Sequence, residues 1–272
     1  HTGSVNYVPS QIVETELLGE TPSDNWYVCV NGDDVLPDML IGRLSAQTPG
    51  EVTDIINKII LYDSAAQSES WEESVLLVAD DDESIFGETS DIIASIVPHN
   101  YQVKKVYVGD YTDDSFVVDI LQAMNKGNLF INYAGHGAVD QWGNWNDVRI
   151  FATVHLPYLR NKGKLAVVTI ADCLNGFFPG DQHLYSLAEG FQRLQNKGAV
   201  AVWAPTGLSF PYGHQLLMSE FYKEIFEKGN YELGVATTAA KINTFSLNNI
   251  WGELVETYIL FGDPATRVPV AP

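Results

Sequence analysis

Two side chains of complementary reactivity stand out in the 272-residue sequence. Cys173 lies in Ile170-Ala171-Asp172-Cys173-Leu174-Asn175-Gly176, and His136 lies in Tyr133-Ala134-Gly135-His136-Gly137. Each directly follows an apolar run of strand character, and 37 positions separate them. A thiol paired with an imidazole reaches the thiolate at neutral pH, and the thiolate is the competent nucleophile for an amide carbonyl. The glycines flanking His136 leave the backbone uncovered, so a substrate chain can approach the ring. Taken singly, each has a plainer reading. Gly-His-Gly also makes a tight turn, and a free cysteine is commonly a packed structural residue. Together, at two strand ends joined by one crossover, they read as a cysteine–histidine dyad.

Such a dyad needs a third group to orient the imidazole and stabilise its charged form, normally a carboxylate. Asp80, at the end of the apolar run Ser74 to Ala79, is the best placed. Its neighbours Asp81, Asp82 and Glu83 keep the assignment open, since together they also read as a solvated acidic turn.

The elements that must position these groups alternate along the chain. Strands are expected at Ser74 to Ala79, Val103 to Val108, Leu129 to Ala134, Leu165 to Ala171, Ala199 to Ala204 and around Tyr258 to Phe261. Between and after them, helical spacing covers Asp91 to Val97, Phe116 to Met124, Phe151 to Leu159, Leu184 to Leu194, Gln215 to Phe226 and Leu233 to Phe245. Alternation of apolar strands with amphipathic helices predicts an α/β fold, with a mostly parallel sheet covered on both faces. Reactive groups then collect beyond the carboxyl ends of the strands, where Asp80, His136 and Cys173 all fall. Ahead of this unit, residues 5 to 25 read as an irregular lead-in. Trp26 to Val30 and Met39 to Leu44 read as strands, and Pro49 to Tyr62 as a helix, giving a small lobe over residues 1–68 before a catalytic domain over 69–272.

Composition narrows the partners. Fifteen Lys and Arg against 35 Asp and Glu give a formal charge of -20, which repels phosphate backbones and anionic membranes. Nucleic acid is excluded as an expected partner, and no apolar run is long enough to span a bilayer. Cys29 and Cys173 are the only cysteines. With no HExxH or paired CxxC, a zinc site has no ligand set, and the glycine-rich loop of a nucleotide-binding domain is missing from the first strand–helix turn.

Four ordered segments resemble the gingipain catalytic domains from about Trp26 to Val268: Ile41-Gly42-Arg43, Asn132 to Gly137, Ala171 to Phe178, and Leu260-Phe261-Gly262-Asp263-Pro264. The resemblance implies a caspase-like three-layer sandwich and a secreted or cell-surface cysteine endopeptidase. It implies His136 and Cys173 as the catalytic pair, Asp80 as the supporting carboxylate, and an oxyanion site made by the backbone amides of Gly137 and Cys173. Ser90-Asp91 matches the context in which the arginine-specific members place their pocket aspartate; either residue would equally cap the following helix. Ala134, Ala171, Ser209, Phe210 and Tyr212 fall at substrate-contacting positions. Ala134 replaces a threonine of the arginine-specific members, and the loop Thr206 to Tyr212 departs from their pattern. Arginine is therefore expected ahead of lysine before the scissile bond.

The resemblance implies no cofactor for the chemistry and a monomer acting on protein or peptide substrates. It also suggests a structural calcium ion, for which Asp80 to Glu83 and Asp110 to Asp114 supply clustered oxygens without EF-hand spacing. Gln141 to Trp145 reads as a lip over the cleft or as a packed loop. Two other uses of the same fold stay open: a transpeptidase-like processing enzyme that resolves the acyl-enzyme with an amine, and a non-catalytic binding module.

Overall fold

The computed structural model describes residues 8–64, 70–178 and 185–270. A hairpin of β1 (Gln11–Thr15) and β2 (Gly19–Ser23) opens the chain, where an irregular lead-in was expected. Helix α1 (Pro49–Ser64) follows. The main sheet is built from β3 (Ser74–Ala79), β4 (Gln102–Tyr107), β5 (Phe130–Ala134), β10 (Ala166–Ala171), β11 (Ala199–Pro205) and β12 (Tyr258–Phe261). Between β5 and β10 lie four two-residue strands, β6 (Gly137–Ala138), β7 (Gln141–Trp142), β8 (Asn144–Trp145) and β9 (Val148–Arg149). The helices of this unit are α2 (Ser84–Ile96), α3 (Ser115–Lys126), α4 (Leu187–Arg193), α5 (Pro211–Phe226), α6 (Leu233–Leu247) and α7 (Gly252–Thr257).

The sheet runs β12-β11-β10-β5-β3-β4, parallel except where β12 meets β11. Alternation along β3 shows why it is covered on both faces. Val75, Leu77 and Ala79 join one core with Ile55 and Ile59 of α1, Phe86 of α2 and Phe221 of α5. Leu76 and Val78 join the other core with Phe116 and Ile120 of α3 and Phe191 of α4. From β3 the chain steps outward to β4, then returns to β5 on the other side of β3. That reversal opens a crevice at the carboxyl ends of β3 and β5, the position where such sheets place their sites.

Several expectations are corrected. Trp26 to Val30 is not a strand: Asn25–Val28 forms a 3-10 helix. Met39 to Leu44 forms no strand, although Arg43 exchanges two backbone hydrogen bonds with the β12 segment, its N–H to Leu260 O at 2.8 Å and its carbonyl from Gly262 N at 3.0 Å. Phe151 to Leu159 contains only a short 3-10 helix, Thr153–Tyr158, interrupted by Pro157. Helix α4 starts at Leu187, and the Leu184 expected to begin it lies outside the described residues. Helix α2 begins at Ser84, so Ser90 and Asp91 sit in its interior and neither caps it.

Two of the four resemblance segments prove architectural. A side chain on Gly42 would meet Gly262 O at 2.2 Å, so that position accepts only glycine. The Arg43 guanidinium holds Asp24 through two hydrogen bonds of 2.6 and 2.7 Å, the paired geometry favoured by arginine and carboxylate.

Candidate active site

β3, β5 and β10 end side by side, with Ala79, Ala134 and Ala171 in register across them. Beyond these alanines the strands diverge into the loops that carry Asp80, His136 and Cys173. Ala134 and Ala171 are 1% and 3% exposed and lie beneath these loops.

A clamp of buried polar groups sets the histidine loop. Asp80 is buried and accepts from the backbone N–H of His136 at 3.1 Å and of Asp81 at 2.9 Å. Burial raises its pKa, and these two amide donors oppose that rise. The Tyr133 hydroxyl donates to His136 O at 2.8 Å, accepts from Gly143 N at 2.9 Å and lies 3.3 Å from Asp80 Oδ2. Its ring stacks on Trp142 at 4.3 Å, and Trp142 is fully buried, so the Gln141 to Trp145 segment packs behind the site at Trp142 instead of standing over it. Tyr133 was quoted in the motif without a role. Its signal was a tyrosine three residues before the histidine, on a strand that is buried throughout.

The imidazole itself stands exposed above this clamp, edge-on to Phe86 at 5.3 Å. The carboxylates within 4.0 Å of its Nε2 are Glu83 at 3.6 Å and Asp82 at 3.9 Å. This corrects the role expected of Asp80. Its side chain points inward from the strand end and reaches the histidine through its backbone, while the turn that follows carries the carboxylates facing the ring.

Cys173 is two residues past β10, and its Sγ donates to Ser209 O at 3.8 Å. Burial pushes the thiol up to about 11; a backbone hydrogen bond from Ser209 counters this, and Asp172 adds to it. The thiol is therefore protonated near neutrality, and forming the thiolate requires a base. Leu174, the next residue, has φ 66°. A bulky residue with positive φ is a genuine outlier, and such strain gathers where function requires it. The loop is held by Leu174 N to Gly207 O at 3.2 Å and Gly176 N to Pro205 O at 2.8 Å.

The two loops meet at Gly137. A side chain there would lie 2.1 Å from Asp172 Oδ2 and 2.7 Å from Cys173 O, so only glycine lets the histidine and cysteine segments approach this closely. The structure thus brings together His136, Gly137, Cys173 and the Ser209 loop; Phe210 at its end and Tyr212 in the first turn of α5 are 61% and 53% exposed. It does not bring in Asp91, whose Oδ1 accepts from Lys105 Nζ at 2.5 Å and Tyr107 Oη at 2.7 Å on the face of α2 toward the edge strand β4. Its pKa is lowered by these two donors, Lys105 first. Asp91 is a surface ion-pair partner, not the base of a pocket beside Cys173.

The sequence model of peptidase family C25 matches residues 2–269, nearly the whole chain. The chain belongs to peptidase family C25. Within that family it is similar to gingipain R2 of Porphyromonas gingivalis, 26% identical over 268 residues that cover 90% of this chain and 35% of the relative. Lys-gingipain W83 of the same organism is 30% identical over 188 residues, 66% of this chain and 10% of the relative. This family member therefore spans about a third or less of either curated relative. The crystal structure of the Arg-specific cysteine proteinase gingipain R superposes with a TM-score of 0.83 at 24% identity, over 96% of this chain and 61% of that one. A complex of Porphyromonas gingivalis RgpB pro- and mature domains superposes with a TM-score of 0.80 at 24% identity, over 91% and 60%. The fold is the caspase-like three-layer sandwich with a mostly parallel sheet.

Proposed function

We propose that this chain is the catalytic part of a cysteine endopeptidase, with Cys173 as nucleophile and His136 as its acid–base partner. The observation that carries the reading is the contact at Gly137. There the histidine loop and the cysteine loop close on each other at adjacent strand ends, and the nucleophile is followed by a strained leucine.

The chemistry follows from the site. With Nε2 of His136 turned toward Glu83 and Asp82, Nδ1 is the nitrogen left for the thiol. It accepts the Cys173 proton as sulfur attacks the scissile carbonyl, and the neighbouring carboxylates stabilise the resulting imidazolium. Catalytic hydrogen bonds of this kind tighten when substrate binds. The tetrahedral oxygen is received by the backbone amides of Gly137 and Cys173, donors worth roughly 3 to 4 kcal/mol each in comparable sites. His136 then protonates the departing amine, and water hydrolyses the thioester with the imidazole again as base.

Arginine, and less favourably lysine, is proposed before the scissile bond. Support comes from the acidic turn Asp81 to Glu83 beside the histidine, from the net charge of -20, and from the arginine specificity named for the structural relative. Asp91 has no part in it. Phe210 and Tyr212, where the Ser209 loop enters α5, supply an exposed aromatic wall. A structural calcium ion belongs to the same reading. Ligand atoms of Asp80, Asp81 and Asp82 lie within 4.8 Å of one another, a spacing that suits a hard cation, and no catalytic step runs through it. Secretion or display at the cell surface, and action as a monomer on protein substrates, complete the proposal. No described helix is long and apolar enough to cross a membrane.

The test is a panel of fluorogenic peptides with arginine, lysine or neutral residues before the bond, comparing wild type with Cys173→Ala. The expected result is loss of at least about a thousandfold in kcat/KM, as when a member of a catalytic triad is removed. Equal cleavage by both proteins would defeat the proposal.

A further inference from the structure

The carboxyl immediately before the nucleophile has no function in the mechanism above, and its surroundings are anomalous. Asp172 is 1% exposed, and neither of its oxygens has a hydrogen-bond partner. A buried polar group left unpaired is destabilising, and in native structures the exceptions call for a specific reason. An ionised carboxylate in that position would be far more unfavourable than a neutral acid, so the group is held protonated; burial raises its pKa well above the usual carboxylate range.

Its position relates it to catalysis. The carboxyl packs against Gly137, where even a methyl group would collide with Oδ2. Gly137 contributes one of the two amides proposed to receive the tetrahedral oxygen, and Cys173, covalently adjacent, contributes the other along with the thiol. The ionisable groups that face Asp172 are Tyr133 from β5, Tyr258 from β12 and Cys173 from its own loop. Behind the tyrosines stand Asp80, 3.3 Å from the Tyr133 hydroxyl, and His214 of α5, whose Nδ1 is 2.6 Å from the Tyr258 hydroxyl. Tyr258 in turn donates to Ile170 O at 2.9 Å. Among the described residues, no lysine or arginine pairs with Asp172, so nothing offsets a negative charge placed there.

We propose that Asp172 is a positioning residue that works only as the neutral acid: protonated, it seats the Gly137 amide beside Cys173, and on losing its proton it opposes the thiolate and the oxyanion together. The inference rests on the thiol-peptidase reading above for its effect on turnover, but not for its effect on the thiol. One negative charge, on Cys173 or on the tetrahedral oxygen, is tolerated in this pocket. Two adjacent charges are not. Activity accordingly has an alkaline limb set by Asp172.

The experiment follows the rate of iodoacetamide alkylation at Cys173, located by peptide mapping so that Cys29 does not interfere, as a function of pH. Wild type, Asp172→Asn and Asp172→Ala are compared, alongside kcat/KM on an arginine peptide. In Asp172→Asn, neutral at every pH and nearly the same shape, the alkylation midpoint is expected to fall by about one pH unit or more, and the alkaline limb of kcat/KM to move upward. Asp172→Ala shows the same shift in alkylation but a lower kcat, because Gly137 loses its seat. Superimposable alkylation profiles for wild type and Asp172→Asn would overturn the proposal and leave Asp172 a packing residue. If the Asn variant does not fold, the infrared stretch of a protonated carboxyl in the wild type decides. Its disappearance over the pH range of the alkaline limb is expected, and its persistence throughout that range counts against the idea. Should Cys173→Ala cleave as well as wild type, the peptidase reading fails, while the alkylation profiles still answer for Asp172.

Discussion

The two poles of the sheet both bury an ionisable side chain, and they treat it in opposite ways. At the amino-terminal end, Lys58 of α1 is 1% exposed and its ammonium donates to three carbonyls, Ala199 O at 2.9 Å and Phe191 O and Lys197 O at 3.2 Å. At the carboxyl end, Asp172 is as deeply buried and meets no partner. Burial draws the Lys58 amine down to about 7, and the negative charge of Asp54 works against that pull. The lysine is a satisfied crosslink between α1 and the segment leading into β11. The aspartate is an unsatisfied group beside the proposed nucleophile. Full pairing marks a buried polar group retained for stability; an unpaired one, next to a strained backbone, marks a place where stability has been given up.

The contrast can be broken most directly at Lys58. Lys58→Met keeps the stem and removes three charge-assisted hydrogen bonds while leaving buried carbonyls unpaired. It should destabilise the fold by about 3 kcal/mol with kcat unchanged. Urea unfolding and peptide turnover measure the two halves, and a loss of less than about 1 kcal/mol would remove Lys58 as the structural counterpart.

At the other pole the corresponding substitution is Tyr133→Phe. The hydroxyl joins His136 O, Gly143 N and Asp80, so its removal frees the histidine loop without touching the ring stack on Trp142. A drop in kcat/KM of about thirtyfold is expected, carried by kcat because KM reads contacts elsewhere in the cleft. A change confined to KM would place Tyr133 in substrate binding instead.

Much of this arrangement was legible before the fold was known, and the reasons differ by residue. The strand runs of the main sheet were readable because both faces are buried, which leaves nearly unbroken apolar segments such as Ser-Val-Leu-Leu-Val-Ala. Cys173 and His136 were readable because their types are rare and fall at strand ends. The first forty residues were not, since Arg43 and Asp24 are held by one ion pair and a few backbone bonds that leave no periodic pattern. Asp91 misled because Ser-Asp is equally a cap or a pocket motif in sequence, and only the placement of α2 shows it facing Lys105. Asp80 misled in a subtler way. A carboxylate near a histidine is identifiable from order along the chain, but whether it meets the ring or the backbone amide depends on which way a single turn faces.

Asp172 also makes a claim about stability with a definite sign. Its folded pKa is raised, so its contribution is fully present below the unfolded carboxyl value, near 3.9, and is lost as pH rises toward the folded value. Asp172→Asn removes that loss. The substitution should therefore raise Tm little at pH 4 and by several degrees at pH 8. A Tm difference independent of pH would mean that the carboxyl ionises without penalty in the folded protein.

The smallest expected effect lies one residue beyond the proposed nucleophile. Leu174 holds φ 66°, which costs a residue with a side chain about 1 to 2 kcal/mol relative to glycine. Leu174→Gly relieves that strain, but it also loosens the unfolded chain by roughly 0.5 to 1 kcal/mol and gives up partial burial of the leucine. The net change in stability should be within about 0.5 kcal/mol of zero, while kcat falls about three- to tenfold because the Cys173 amide and thiol are no longer held on one course. Retention of the fold with impaired turnover is the signature that separates strain serving the site from strain merely tolerated by it. Undiminished kcat in a protein made more stable would show that the left-handed leucine only connects β10 to Gly176.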